Sequence, residues 1–107
     1  MRIVRNSIIP LKGYKAINLF GILFCRKEVW IDAADLMHEE IHTAQMKEML
    51  YIPFYLWYGI EFLIRLAWYR SCFKAYRNMG FEQEAYLYEQ ASDYLDRRKP
   101  YEWFRYI

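Results

Sequence analysis

The first third of the chain contains a long apolar stretch with the composition of β-strands. From Tyr14 to Trp30 it is dense in Ile, Leu, Phe and Val, residue types that are common in strands. Gly21 divides this stretch, and a glycine inside a strand pattern indicates a bend. The pattern therefore predicts one long strand or two short strands, with a kink near Gly21.

The rest of the chain has helical patterning in three successive segments. Asp32 is a favourable N-cap residue, and the apolar positions after it predict a helix over residues 33–51. Residues 52–76 predict a very apolar second helix, with Gly80 as its C-cap. A third helix is predicted over residues 81–98. The expected fold class is α+β, in which a small N-terminal β-sheet or hairpin precedes three helices in a single domain that spans the chain.

The composition indicates a folded chain with more apolar material than a small core needs. Of its 107 residues, 56% are hydrophobic, against a usual apolar share of about 45–50%. The excess is available for a cleft, for contact between copies in a homo-oligomer, or for a membrane. The net charge of +2 includes no basic stripe, so no nucleic-acid partner is expected.

The apolar second helix and the cysteines bear on where the protein works. Residues 52–69 approach the length of about 20 residues that spans a bilayer, but Glu61 and Arg65 interrupt them. We therefore expect a helix buried on most sides, with Glu61 and Arg65 as an ion pair on one solvated edge. Cys25 and Cys72 lack C-x-x-C spacing and are expected to be buried free thiols, with one disulfide as the alternative. A cytoplasmic location is predicted, with membrane association as the alternative.

The centre of the first predicted helix carries a metal-binding pattern. Residues His38-Glu39-Glu40-Ile41-His42 fit H-E-x-x-H, and the chain has no other histidine. In a helix, positions 38 and 42 lie one turn apart on one face, so two neutral imidazoles can bind one Zn²⁺. The carboxylate of Glu39 then lies beside the metal, where it can take a proton from a bound water. The pattern predicts Zn²⁺ as cofactor, with His38 and His42 as ligands.

A third ligand has to come from elsewhere in the chain. A catalytic zinc site usually has three protein ligands, and the histidines supply two. No third histidine exists and both cysteines are poorly placed in the sequence, so we expect a carboxylate. The third predicted helix offers three candidates: Glu82, Glu84 and Glu89.

The two helical motifs together resemble the gluzincin branch of the zincin metallopeptidases. In that branch H-E-x-x-H is followed on a second helix by E-x-x-A, a pattern that Glu82 and Ala85 match here. The resemblance implies that Glu82 is the third ligand and that Ala85 lets the two helices approach closely. Tyr86 stands where the family often has Asp or Asn, so Glu84 stays an alternative. As a whole, the chain is similar to the single-domain minigluzincins.

This resemblance implies a zinc-dependent peptidase with a peptide or protein as substrate. Zn²⁺ would polarise a water molecule and the scissile carbonyl, while Glu39 removes the water proton and passes it to the leaving amine. An edge strand within residues 16–25 would hold the extended substrate. Candidates for a hydroxyl that stabilises the oxyanion are Tyr76, Tyr86 and Tyr88.

Residues next to the motif have supporting roles in this interpretation. Glu40 points about 100° away from Glu39 around the helix and is expected to be solvated or structural. Gln45, nearly one turn after His42, is a candidate for orienting a metal ligand. The alternative function is a non-catalytic module, either zinc-stabilised or membrane-associated, that uses its aromatic surface for contact.

Overall fold

The N-terminal part of the protein is a three-stranded sheet. In the computed structural model, which describes residues 1–10 and 14–107, the strands are β1 (Arg2–Asn6), β2 (Ala16–Leu19) and β3 (Ile22–Arg26). β3 lies in the middle, antiparallel to β2 and parallel to β1. The prediction of two short strands is confirmed. β1 was not predicted, because most of its side chains are exposed on both faces and show no alternating pattern.

A two-residue turn joins β2 to β3 at the predicted kink. Leu19 pairs with Ile22, and the two residues between them, Phe20 and Gly21, have positive φ angles of 54° and 87°. Positive φ at both central positions matches the twist of a two-residue hairpin. β2 is left at the edge of the sheet.

The first helix, α1 (Ala33–Glu48), begins at a capping box. The side chain of Asp32 accepts a hydrogen bond from the backbone N–H of Asp35, and the Asp35 side chain accepts one from the backbone of Asp32. These bonds satisfy N–H groups that have no partner within the helix. The predicted end at residue 51 is wrong, because Leu50 and Tyr51 adopt positive φ angles of 60° and 65°.

The second predicted helix is in fact two helices. α2 (Ile52–Tyr69) ends where Arg70 adopts a left-handed conformation, with φ 55°. Ser71 then caps α3 (Cys72–Arg77) by accepting a hydrogen bond from the backbone N–H of Lys74. One continuous helix over residues 52–76 is therefore wrong.

The third predicted helix is also divided. α4 (Gly80–Tyr88) and α5 (Tyr94–Arg97) are followed by a short 3-10 helix, Glu102–Tyr106. Gly80 is the first residue of α4, so the prediction that it caps the preceding helix is wrong. A Cβ atom at this position would lie 2.9 Å from the carbonyl oxygen of Trp103, so close packing requires glycine here.

Two clusters of buried side chains hold the helices around α4. In the smaller cluster, Ala85 of α4 is fully buried against Ile41 of α1, so these two helices approach closely. The C-terminal residues contribute to the larger cluster, whose buried members are Met46, Phe54, Met79, Phe81 and Trp103.

The apolar helix α2 was expected to be buried on most sides, and this expectation is wrong. Only Phe54 and Glu61 of this helix are buried, whereas Ile60 and Trp68 are 60% and 82% exposed. The predicted Glu61–Arg65 ion pair is present at 3.2 Å, but Glu61 lies on the buried side and not at a solvated edge. Within residues 1–10 and 14–107, no helix has the length and hydropathy to cross a bilayer.

The two cysteines lie in different environments. Both thiols are free; Cys25 is buried in β3, whereas Cys72 is exposed at the start of α3. The expectation of two buried free thiols is therefore confirmed for Cys25 and wrong for Cys72.

Candidate metal centre

Three side chains from two helices converge on one point inside the protein. His38 and His42 lie one turn apart on α1, and Glu82 faces them from the first turn of α4. The Nε2 atoms of His38 and His42 lie 3.1 and 3.0 Å from Oε1 of Glu82, and 3.2 Å from each other. All three residues are buried, with exposures of 3–7%. The structure thus brings together the three residues predicted as metal ligands.

The spacing of these three atoms fits a tetrahedral metal site. Ligand atoms about 2.0–2.1 Å from a tetrahedral Zn²⁺ are about 3.3 Å apart, close to the 3.0–3.2 Å found here. Three ligands leave the fourth tetrahedral position for water or substrate. The residues present therefore fit a zinc ion with one open position.

The outer nitrogen of each histidine faces a hydrogen-bond acceptor. Nδ1 of His38 lies 3.2 Å from Oε1 of Glu89, and Nδ1 of His42 lies 2.7 Å from Oε1 of Gln45. The Gln45 amide has a fixed orientation, because its Nε2 donates to a backbone carbonyl and to Oε1 of Glu84. Both Nδ1 atoms therefore carry a proton, and both Nε2 atoms can present a lone pair to the centre.

This arrangement requires a positive charge at its centre. Two imidazole lone pairs and one carboxylate oxygen repel one another unless a proton or a metal cation lies between them. Two neutral imidazoles with one carboxylate form the donor set of known catalytic zinc sites. The chemistry of the donors and their spacing therefore agree on the kind of ion that fits.

A tyrosine of α2 completes the surroundings of Glu82. The hydroxyl of Tyr58 donates to Oε2 of Glu82 at 2.7 Å, which leaves Oε1 to face the histidines. Burial and the Glu82 carboxylate raise the pKa of Tyr58, so the hydroxyl keeps its proton. Tyr58 was not predicted, because it is one of eleven tyrosines and no local motif marks it.

The charges of the central residues are strongly coupled. Burial alone would raise the pKa of Glu82, but His42 and His38 hold it well below its usual range. Burial alone would lower the pKa of His42, but the Glu82 carboxylate outweighs this effect and raises it to about 9. At neutral pH the metal-free site thus pairs an ionised Glu82 with a protonated His42, and a metal ion must displace that proton.

Glu39, the predicted general base, borders the metal centre. Its backbone carbonyl accepts a 2.9 Å hydrogen bond from the side-chain amide of Asn18, which ties this turn of α1 to β2. Its side chain is half-buried, and burial raises its pKa although His42 and His38 act in the opposite direction. A raised pKa brings a carboxylate closer to the range that suits proton transfer near neutral pH.

Two adjacent cavities share His38 and Glu39 as part of their walls. The smaller, of about 270 Å³, is lined by β2 and by all three residues of the metal centre. The larger, of about 660 Å³, is lined by aromatic side chains of α2 and α3 among others. Ala16 of the edge strand and Tyr76 of α3 line both cavities. The two cavities together are called the cleft below.

The three tyrosines considered as oxyanion donors occupy different positions. Tyr76 lines both parts of the cleft, and its hydroxyl lies 3.0 Å from that of Tyr86. The ring of Tyr86 packs edge-on against His38, with centroids 4.4 Å apart. Tyr88 stacks on Tyr94 and does not line the cleft. Tyr76 is therefore the best placed of the three to reach a substrate.

The two alternatives to Glu82 lie farther from the centre. Glu89 contacts the outer nitrogen of His38, and Glu84 lies beyond Gln45, where it accepts hydrogen bonds from Tyr94 and Arg98. Glu89 thus contacts His38 directly, whereas Glu84 is connected to His42 only through Gln45.

Gln45 and Glu40, the two polar neighbours of the motif, have different environments. Gln45 contacts His42, as expected for a residue that orients a ligand. Glu40 lies 3.8 Å from the N-terminal amine and lines neither cavity.

Comparisons with known proteins identify no relative of the chain. No family model matches it, and neither a curated protein nor a solved structure is significantly similar to it. The resemblance to the gluzincins therefore rests on the two sequence motifs alone.

Proposed function

We propose that the protein is a zinc-dependent peptidase whose ion is held by His38, His42 and Glu82. The observation that carries the proposal is the convergence of three donor atoms 3.0–3.2 Å apart, with Glu39 in the same cavity wall. Two imidazoles, one binding carboxylate and one neighbouring carboxylate that can transfer protons are the groups that metal-assisted hydrolysis uses.

The residues around the ion have distinct tasks in the proposed reaction. A bound Zn²⁺ supplies Lewis acidity toward water and the scissile carbonyl. Glu39 takes the proton of the attacking water and later delivers it to the leaving amine. Tyr76, oriented by Tyr86, donates a hydrogen bond to the carbonyl oxygen as negative charge develops there.

The position of β2 supports an extended peptide as the substrate. β2 is an edge strand, and its residues Ala16–Leu19 line the smaller cavity beside Glu39. An edge strand has backbone N–H and C=O groups that no neighbouring strand pairs, and another extended chain can add to them. A peptide bound in this way would lie along the cleft with its backbone close to Glu39.

Elemental analysis of the purified full-length protein tests the metal. We expect one equivalent of zinc, and its loss in His42→Ala and Glu82→Ala. Glu84→Gln is the matched control, because Glu84 is buried in the same helix but lies outside the donor set, and this variant is expected to retain zinc with weaker affinity. A protein that neither contains nor takes up a transition metal would refute the proposal.

Adjacent glutamates of α1 provide a test of the chemistry. Glu39→Gln should retain zinc and lose peptide hydrolysis by about 10²-fold or more, because the general base is removed. Glu40→Gln makes the same chemical change one residue away, outside the cleft, and should keep full activity. Cleavage of a peptide library by both variants at the same rate would show that Glu39 is not the base.

The depth of the site favours a second candidate function, a non-catalytic module stabilised by zinc. The donor residues are only 3–7% exposed, and a buried zinc ion contributes folding energy. This candidate predicts stoichiometric zinc and a melting temperature lowered by chelators, with no cleavage of any library peptide by the wild-type chain. Hydrolysis that disappears in Glu39→Gln excludes it.

A further inference from the structure

The outward side of α2 is entirely apolar. Every exposed residue of this helix is uncharged and without a polar side chain. Trp68, at 82% exposed, is the most accessible, and Leu56, Leu63 and Ile64 are 63–65% exposed. We call this surface the outer face of α2; it consists of Ile52, Pro53, Leu56, Trp57, Gly59, Ile60, Leu63, Ile64, Ala67 and Trp68.

Tyr58 and the charged residues of α2 make their bonds within the protein instead. Tyr58 donates to Glu82 in the metal centre, and Glu61 accepts from the backbone N–H of Gly80. The guanidinium of Arg65 bonds to Glu61 along the same side of the helix. A surface helix usually buries its apolar side and exposes its polar side, and in α2 this arrangement is reversed. These bonds hold the inner side of α2 to the domain, so only its outer face is free to contact a partner.

The outer face concentrates apolar exposure on a single helix. Six of its large side chains are more than half exposed, with no charged side chain exposed among them. Large contiguous apolar patches of this kind mark sites of interaction with a protein or a membrane.

Basic residues border this face at the C-terminal end of α2. Arg70 and Lys74 are exposed and form no ion pair within the described part of the chain, and Phe73 between them is 72% exposed. Residues 62–81 contain four basic residues and no acidic one. The charged residues at this end of the apolar face are therefore all basic.

We propose that the outer face of α2 and the Arg70–Lys74 border bind the surface of an anionic phospholipid bilayer. Apolar side chains with Trp on one face, followed by exposed basic residues, are the features of helices that lie in a membrane interface. A second copy of this chain is the less suitable partner, because it presents the same surface and offers no acidic group within residues 62–81 to Arg70 or Lys74. Anionic headgroups supply the complementary charge.

Sedimentation of the purified full-length protein with vesicles tests this proposal. Vesicles of phosphatidylcholine alone are compared with vesicles that also contain phosphatidylglycerol. The wild-type chain should bind the anionic vesicles more tightly, and salt should weaken this binding. Arg70→Gln combined with Lys74→Gln should reduce binding to anionic vesicles roughly 20- to 30-fold at low salt, and should change binding to neutral vesicles little.

Two exposed tryptophans provide a matched pair of variants that tests the apolar contribution to vesicle binding. Trp68→Gln should weaken binding to both kinds of vesicle by about tenfold or more, because it removes a large side chain from the outer face. Trp30→Gln removes an equally exposed tryptophan, 79% against 82%, from the loop between β3 and α1 and should bind as the wild type does. Both side chains are exposed, so neither change threatens the fold, and equal melting temperatures would verify this.

Three outcomes would overturn the proposal. The first is a wild-type chain that stays in solution with anionic vesicles. The second is a Trp68→Gln variant that binds these vesicles as tightly as Trp30→Gln does. The third is a lipid-free dimer in analytical ultracentrifugation that becomes a monomer in Trp68→Gln, which would assign the outer face to a second copy.

Discussion

At the scale of single residues, Gln45 connects the candidate metal centre to the rest of the buried polar network. It accepts from Nδ1 of His42 and donates to Glu84, which in turn accepts from Arg98. This chain of bonds fixes the tautomer of His42 and the direction of its Nε2 lone pair. Gln45 is fully buried, so neither partner can turn to water if the amide is removed.

We therefore expect Gln45→Leu to weaken zinc affinity about 10- to 100-fold. Competition against a chromophoric chelator measures the affinity, and melting with saturating zinc confirms that the variant is folded. Gln90→Leu, which changes an exposed glutamine after α4, is the control and should bind zinc as the wild type does. Equal affinities of the two variants would show that Gln45 does not orient His42.

The position of Tyr76 leads to a prediction about catalysis, which depends on the proposed peptidase function. Tyr76→Phe should lower kcat about 10- to 1,000-fold and leave zinc content unchanged, because the hydroxyl acts only on the developing oxyanion. Tyr88→Phe removes a hydroxyl that bonds to Tyr106 and should leave kcat unchanged. If Tyr76→Phe hydrolyses peptides at the wild-type rate, the oxyanion is stabilised by another group.

Part of this site could be predicted from the sequence because it depends on helical periodicity. The spacing of His38 and His42 places both imidazoles on one face in any regular helix. Tyr58 and the contacts of Glu84 and Glu89 depend instead on how α2 and α4 pack against α1. No local pattern encodes these contacts, so they became visible only in the folded chain.

At the scale of helices and strands, two glycines illustrate opposite requirements. Gly80 begins α4, and a Cβ there would lie 2.9 Å from both the Trp103 carbonyl oxygen and Cγ1 of Ile107. Gly59 lies in the exposed middle of α2, where a Cβ would have no neighbour within 4 Å. The same substitution should therefore have opposite effects at the two positions.

Gly80→Ala is expected to destabilise the protein by about 1–3 kcal/mol, because the backbone of the 3-10 helix has to move away. Gly59→Ala should stabilise it by up to about 1 kcal/mol through its higher helix propensity. Chemical denaturation of both variants under equal zinc concentrations measures the two free energies of unfolding. A stabilising Gly80→Ala would mean that the C-terminal residues are not packed on α4 as described.

The helix boundaries show which local sequence signals are sufficient to predict where a helix begins or ends. The start of α1 was predicted because Asp32 provides a complete local cap, which Asp35 reinforces. The break at Arg70 was not predicted, because an arginine in the left-handed backbone conformation is uncommon at a helix end, where glycine is the usual signal. The prediction of one continuous third helix was wrong because of tertiary contacts. After α4, the chain turns so that Tyr94 and Arg98 bond to Glu84.

At the scale of the whole molecule, the candidate metal centre connects most of the fold. The predicted α+β class is confirmed, with the N-terminal sheet followed by helices. α1 and α4 supply the donor atoms, α2 holds Glu82 through Tyr58, and β2 and α3 line the cleft. Binding of an ion at this point should therefore affect global stability and not only one helix.

The stability of the metal-free protein should depend on pH through His42. Its pKa is raised from about 6.5 in the unfolded chain to about 9 in the folded state by Glu82. A raised pKa contributes stability that is fully present below pH 6.5 and is lost as the pH rises through 9. The chelated wild-type protein should thus lose up to about 3 kcal/mol between these two pH values.

Zinc should cancel this trend, because it takes the place of the His42 proton. Apparent zinc affinity should rise by about tenfold per pH unit up to pH 9, so the zinc-induced increase in Tm should be larger at pH 9 than at pH 6.5. His42→Gln, measured with and without chelator, should lack both effects, while Cys and Lys titrations remain the same in both proteins. If chelated wild type and His42→Gln show the same pH dependence of Tm, the coupling of His42 to Glu82 is not the cause of that pH dependence. A Tm that falls with pH in chelator but stays level with zinc, a difference present only in the wild type, would instead establish that a proton and a metal ion compete for one point between His38, His42 and Glu82.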